Sequence, residues 1–275
     1  MTYTLNLHGQ LLSLNEPVVM GILNATPDSF FAGSRQQSEE QIAHRARQII
    51  SEGATIIDVG ACSTRPGSAP VSQDEEMKRL RMALPIIKKI QEEFSTSNSK
   101  LSIDTFRPDV ARMAVEEFGA DIINDVSEGD ETMFRMTARL GTPYILTSVQ
   151  PDLRTTLLAF AKKVQQLRDF GQKDIILDPG FGFGKTVEEN FRLFNEMERL
   201  HVLDLPLLVG ISRKSMIYKT LDCTPDEALN GTTALNTIAL MKGAAILRVH
   251  DVKEACECCK IIKTLTPTPC FSISV

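Results

Sequence analysis

The strongest constraint on this chain is one pattern met eight times: a short apolar run that stops at a polar residue. Residues 174–185, DIILDPGFGFGK, show it most clearly. Ile175, Ile176 and Leu177 make the run expected of a strand buried on both faces. Asp178 ends it, and Pro179 and Gly180 prevent its continuation. Elsewhere VVMGILN ends at Asn24, TIIDVG carries Asp58, LSIDT carries Asp104, and IINDV carries Asn124 and Asp125. PYILTS leads to Thr147 and Ser148, PLLVGIS to Ser212, and AAILRVH to His250. Chance accounts for one or two such endings; eight point to one shared site, because α/β proteins bind ligands at the C-terminal ends of their strands.

Between these strands, over 18–23, 55–59, 101–104, 121–126, 143–149, 175–178, 205–211 and 244–249, lie stretches of helical character. The pattern predicts helices over about 38–52, 73–94, 107–118, 131–140, 153–170, 191–200 and 252–265. Ser38 reads as the cap of the first, Pro85 as a bend or break in the second, and Gly231 as a break between two helices that follow strand seven. Such alternation, with right-handed crossovers, predicts an α/β fold: a single (β/α)8 TIM barrel over residues 1–275. The chain's 275 residues suit one barrel of roughly 250 residues. Residues 3–15 alternate loosely around His8-Gly9 and read as an N-terminal β-hairpin capping the barrel floor, with His8 in the turn. A doubly wound open sheet is the alternative architecture.

Composition removes several function classes. A net charge of −5 without a basic run argues against nucleic acid as a partner. No apolar stretch approaches the roughly 18 residues of a membrane span. The opening MTYTLNLHG lacks the charged and apolar regions of a signal peptide, so the cytoplasm is the expected compartment. Six cysteines suggest reduced thiols rather than a disulfide scaffold. Cys256, Cys258 and Cys259 lack the second pair or the histidines of a structural zinc site, and read as small apolar residues on a terminal helix.

In a barrel the strand ends converge, so residues far apart in sequence become neighbours. Asp104, Asn124 and Asp178 offer acceptors and an amide, which suit a flat heterocycle rich in N–H groups. Lys214, Arg248, His250 and Arg65 offer cations and donors, which suit a phosphate or carboxylate. Asn24 and Asp28 could hold Mg²⁺ through oxygen, with water and substrate phosphate completing the shell. Structural readings compete: Asp104 could cap the next helix, and Arg213 and Lys214 could be solvated residues of a first helical turn. Asp121 and Asp174, at strand starts, belong to the stability face. GFGFGKT is not a Walker A loop, since Pro179 stands where that motif needs its first glycine.

Taken together, VMGILNATPDSF, IIDVGACSTRPG, SIDTF, IINDVS, LDPGFGFGK, GISRKS, NGTTALNTIALMKGA and ILRVHDV resemble the dihydropteroate synthase family, in order and over nearly the whole chain. The resemblance implies condensation of 4-aminobenzoate with (7,8-dihydropterin-6-yl)methyl diphosphate, releasing diphosphate, a step of folate biosynthesis. It implies Mg²⁺ as cofactor with Asn24 as its ligand. It implies a pterin-binding set of Asp104, Asn124, Asp178 and Lys214, and a diphosphate site of Arg248 and His250. Thr64, Arg65 and Pro66, with Ser215, would close over the aminobenzoate, and Asp28, Ser29 and Phe30 match a first loop that orders late. Catalysis would fall to Asp104, Lys214, Arg248, His250 and Arg65, in a homodimer of a family that is a sulfonamide target. The alternatives are a pterin-dependent methyltransferase domain, which would not need the Ser-Thr-Arg-Pro-Gly loop, and a non-catalytic pterin-binding paralogue. One departure stands out: many members end strand five in a Met-His-Met-like run, where this chain has Leu146-Thr147-Ser148-Val149-Gln150 and a short connection to the next helix.

Overall fold

A computed structural model describes residues 3–25, 35–62, 71–94 and 98–265 of the chain, without the side chains of residues 35–38. Two strands, β1 (Thr4–Leu7) and β2 (Gln10–Ser13), pair antiparallel. His8 and Gly9 turn between them, with φ of 50° and 87°. The left-handed region costs glycine little, and the His8 ring contacts the Ala120 carbonyl oxygen at 3.0 Å.

Eight parallel strands follow: β3 (Val18–Asn24), β4 (Ile56–Gly60), β5 (Lys100–Asp104), β6 (Ile122–Asp125), β7 (Tyr144–Thr147), β8 (Ile175–Asp178), β9 (Leu208–Val209) and β10 (Ile246–Val249). Hydrogen bonding runs in the order β8-β7-β6-β5-β4-β3-β10-β9. A parallel bridge from Leu177 to Leu207 then brings the two ends together. This is the TIM barrel that the alternation predicts, with a sequence neighbour beside each strand; the open doubly wound sheet is set aside.

Helices cover the outside: α1 (Arg35–Ser51), α2 (Gln73–Glu93), α3 (Pro108–Phe118), α4 (Glu131–Leu140), α5 (Leu153–Asp169), α6 (Val187–Glu196), α7 (Ser215–Tyr218), α8 (Leu229–Met241) and α9 (Val252–Leu265). Several boundaries differ from the sequence reading, each for a local reason. α1 begins at Arg35, so Ser38 is inside the helix rather than its cap. Pro85 sits within α2 without ending it. Gly231 does not break a helix; it lies inside α8, where a Cβ would stand 2.5 Å from Ile217 Cγ2 and 2.8 Å from Leu221 Cδ1. Its smallness serves the close approach of α7, and the break falls earlier, between α7 and a 3-10 turn at Pro225–Glu227. Strand seven is shorter than its apolar run, with only Leu208–Val209 assigned as strand. Helix six starts earlier, at Val187 behind a Thr186 capping box.

Strand alternation sorts the core into two compartments. One set (Val59, Ile103, Ile123, Leu146, Leu177 and Val249 among it) packs against the helices. The other lines the lumen: Met20, Ile56, Ile122, Ile145, Ile176, Leu208 and Ile246 pack with Leu5, Leu7 and Leu14 of the hairpin segment. The hairpin thus seals the N-terminal end with apolar side chains. Whatever the lumen binds enters from the other end.

Candidate active site

Two residues further along six of the strands, the lumen is polar. By the same alternation, Ile56 is followed by Asp58, Ser102 by Asp104, Ile122 by Asn124, Ile145 by Thr147, Ile176 by Asp178 and Ile246 by Arg248. An apolar layer below and a polar layer above is how a period-two backbone builds a floor and a reactive ceiling within a few residues. Asp125 and Asn124 are chain neighbours and point to opposite faces. Asp125 accepts from Tyr144 Oη at 2.7 Å and from Ser127 Oγ at 2.6 Å, which is a structural role outside the lumen.

Asp58 is the hub that the sequence reading did not single out. It is fully buried, accepts from Ser102 Oγ at 2.7 Å and Asn124 Nδ2 at 3.0 Å, and receives Arg248 Nε at 2.7 Å. Arg248 Nη2 reaches Asp104 at 2.6 Å. One guanidinium therefore serves two carboxylates. Burial works against the charge of Arg248, and its attraction to Asp58 and Asp104 more than restores it, so its pKa is raised. Asp104 is the carboxylate left in excess. Burial pushes it up to about 7, with Asp58 adding to the rise and Arg248 opposing it. Asp104 does not cap α3: the residue in that position is Arg107, with no side-chain bond to the helix.

This arrangement carries a pH dependence. With its folded pKa above the unfolded value, Asp104 adds stability at acid pH and loses it as pH rises through about 7. Thermal unfolding of the free protein followed between pH 5 and 8 should show that fall. The Asp104→Asn variant should have a flatter profile over the same window. An identical profile in both would assign the dependence elsewhere.

Across the lumen, Asp178 is buried and accepts from the Gly180 amide at 2.8 Å. Burial raises its pKa, opposed first by Lys214. The loop after it is shaped by glycines at positive φ. A Cβ at Gly180 (φ 67°) would collide with the Ser148 carbonyl oxygen, and one at Gly182 (φ 83°) would stand 2.7 Å from Lys214 Cδ. Lys214 therefore lies across the loop, bonded to the Phe181 carbonyl oxygen and 4.3 Å above the centre of the Phe183 ring. Burial lowers its pKa to about 8, with Asp178 opposing the fall. Lys214 is thus no solvated residue of a first turn; Ser215 beside it opens α7. Arg213 turns away to Asp251, at 2.7 Å, and serves the scaffold.

Lys185 also escaped the sequence reading. Its ammonium donates to the carbonyl oxygens of Ser148 and Gly180, both at 3.0 Å, and Phe183 at 3.3 Å. It clamps the glycine loop to the end of β7. A lysine closing a glycine-rich run is the available signal in the sequence.

His250 stands one alternation step beyond Arg248 and is held differently. Its Nδ1 lies 3.0 Å from Ser212 Oγ, in the turn after β9, and its carbonyl oxygen accepts from Arg45 at 2.6 Å. The two cations expected to act alike are in different circumstances, since Nε and Nη2 of Arg248 are both spent on carboxylates. Asn24 is exposed at the rim of β3. A Cβ at Gly60 would lie 3.7 Å from both Asn24 Oδ1 and Asp104 Oδ2, so the two oxygens approach the same glycine. Among the described residues no cluster of three His, Cys, Asp or Glu could hold a metal. Cys258 belongs to the core, and Cys256 and Cys259 pack against it, their thiols pushed up by burial to about 11 and about 12. Asp28, Ser29, Phe30, Thr64, Arg65 and Pro66 lie outside the described residues.

Comparison with known proteins agrees with this lumen. Residues 20–250 match the family model of pterin binding enzymes. The chain is 40% identical to the dihydropteroate synthase of Escherichia coli (strain K12), over 93% of this chain and 94% of the relative. It is 38% identical to that of Bacillus subtilis (strain 168), over 90% and 88%. Among solved structures, the dihydropteroate synthase of Xanthomonas albilineans with 4-aminobenzoic acid superposes with a TM-score of 0.88 at 32% identity, covering 98% of this chain and all of that one. The Yersinia pestis dihydropteroate synthase in a sulfonamide drug complex gives 0.84 at 37% identity, covering 96% and 98%. The eight strand ends, the polar upper lumen and these likenesses place the chain in the dihydropteroate synthase family of pterin-binding enzymes.

Proposed function

We propose that the chain joins 4-aminobenzoate to (7,8-dihydropterin-6-yl)methyl diphosphate, forming a C–N bond and releasing diphosphate. The observation that carries this reading is the polar upper lumen, where Asp178, Asn124 and Asp104 present acceptors beside Lys214 and Arg248. Asp178 and the free Asn124 Oδ1 would take N–H groups of the pterin ring, with Lys214 along its edge. The C–O bond to the diphosphate then breaks, the ring stabilises the cationic methylene, and Asp104 favours that charge. The aniline nitrogen attacks the methylene and loses its proton, so no covalent bond to the protein is required.

The departing diphosphate gathers negative charge that preorganised donors must stabilise. His250 and the outer edge of Arg248 are the described groups for this, joined by Arg65 through the family resemblance. Asn24 Oδ1, an exposed oxygen at the rim beside Gly60, suits a hard cation as a protein ligand. Mg²⁺ held there would supply charge neutralisation of the leaving group. Thr64, Arg65, Pro66 and Ser215 would frame the aminobenzoate. The homodimer rests on the resemblance alone, and the cytoplasm on the expectation from the sequence.

Product formation decides between this reading and its rivals. Incubation with both substrates and Mg²⁺ should yield dihydropteroate and diphosphate in equal amounts. Pterin binding without product would indicate a non-catalytic paralogue. Methyl transfer from a folate to a corrinoid would indicate the methyltransferase class. A second expectation concerns the order of binding: 4-aminobenzoate alone should bind weakly, and tighten when Mg²⁺ and pyrophosphate are present. Arg65→Ala should remove most of that gain and spare pterin affinity. Equal aminobenzoate affinity with and without Mg-pyrophosphate contradicts an ordered site.

A further inference from the structure

Among the described residues, two polar atoms in the upper lumen are buried without a hydrogen-bond partner: Asn124 Oδ1 and Thr147 Oγ1. The other such atoms belong to helices or to the loops that lead into strands, away from the lumen's polar layer (Thr142, Thr156, Gln172, His201, Asn236). Buried polar groups in folded proteins are nearly always paired, and each exception calls for an explanation. The Asn124 oxygen finds one in the pterin. Thr147 calls for its own, because its residue type is where this chain leaves the Met-rich spelling of the resemblance.

Its position is well defined. Thr147 follows Ile145 by one alternation step, so it shares the lumen face with Ile145 of the apolar floor. It is 1% exposed. In the parallel register it pairs with Asp178, the proposed pterin carboxylate, and Asn124 is on the other neighbouring strand. Its methyl, Cγ2, lies 3.0 Å from where a Gly180 Cβ would be, so the methyl is directed at the glycine turn and the hydroxyl takes another branch. The hydroxyl of the neighbouring Ser148 accepts from the Gln150 amide at 3.3 Å, and strand alternation puts that side chain on the opposite face, which leaves Thr147 as the hydroxyl on the lumen face.

We propose that the Thr147 hydroxyl is a further recognition group for the pterin, hydrogen-bonded to a polar atom of the ring edge beside the one that Asp178 holds. The inference rests on the function proposed above. It makes Thr147 a specificity residue at the altered end of β7, where a side chain without a hydroxyl would offer only apolar contact. A buried hydroxyl without a protein partner adds little to the stability of the free protein, and its bond to the ring is made when the heterocycle arrives.

The test pairs affinity with stability. Calorimetry with 6-hydroxymethylpterin should show Thr147→Val binding about three- to tenfold more weakly than wild type, the range of one neutral hydrogen bond. Thr147→Ser, which keeps the hydroxyl, should bind within about twofold of wild type. Free Thr147→Val should unfold at or above the wild-type temperature, because no bond is lost. Unchanged pterin affinity in Thr147→Val overturns the proposal. So does a lowered unfolding temperature, which would reveal a partner for the hydroxyl within the protein. Wild type that binds no pterin at all refutes the proposed function itself, and that result is read before any variant is made.

Discussion

Asp178→Asn is expected to weaken pterin binding at least tenfold and to leave the fold in place. The Asn oxygen can still accept from the Gly180 amide, now made at 2.8 Å by Asp178 Oδ1. What disappears is the negative charge facing the ring N–H groups and opposing the loss of the Lys214 proton. A hydrogen bond to a charged group contributes about 1.5–3 kcal/mol, which is about 10- to 150-fold in affinity. Calorimetry with a pterin analogue measures it, and equal thermal stability shows that the loss is local. Unchanged affinity removes Asp178 from the pocket.

The largest effect on stability is expected at Asp58. Asp58→Ala takes the acceptor from Ser102, Asn124 and Arg248 at once, and leaves Arg248 with Asp104 alone. Breaking a buried ion pair from one side costs about 3–5 kcal/mol. At about 2–4 °C per kcal/mol for a domain approaching this size, unfolding should occur on the order of 10 °C lower. Asp58→Asn keeps an acceptor and the volume, so it should fall between the variant and wild type. A Asp58→Ala protein that melts within about 1 °C of wild type would mean that the lumen network contributes little.

The two predictions differ in how much of their basis was readable beforehand. That Asp178 ends a strand at a ligand-binding rim follows from three apolar residues, a carboxylate and a Pro-Gly stop. The same local grammar gave Asp104, Asn124 and Asn24. The choice of Asn124 over Asp125 finds its reason only in the folded strand, where alternation turns the two to opposite faces. Asp58 was visible as a strand residue, yet its role depends on Arg248, which is 190 residues distant. No local pattern reveals which cation a buried carboxylate receives. The same distance hid the condition of Arg248, read as free for an anion and found between two carboxylates.

Helix boundaries failed where tertiary packing outweighs local preference. Gly231 reads as a breaker because glycine is a poor helix former, whereas its neighbours Ile217 and Leu221 leave room for nothing larger. Ser38 reads as a cap, but α1 starts a turn earlier. The altered end of β7 was legible as a departure; that it leaves an unpaired hydroxyl was not, since pairing is a property of the folded neighbourhood.

The central claim is that one site, in the upper lumen, reads the pterin. A crystal structure of the protein soaked with 6-hydroxymethylpterin tests it most directly. The ring edge should lie within hydrogen-bonding distance of Asp178 and Asn124, above the floor formed by Ile145 and Ile176. A pterin bound outside the lumen, or an empty lumen in a preparation that still forms dihydropteroate, would contradict it.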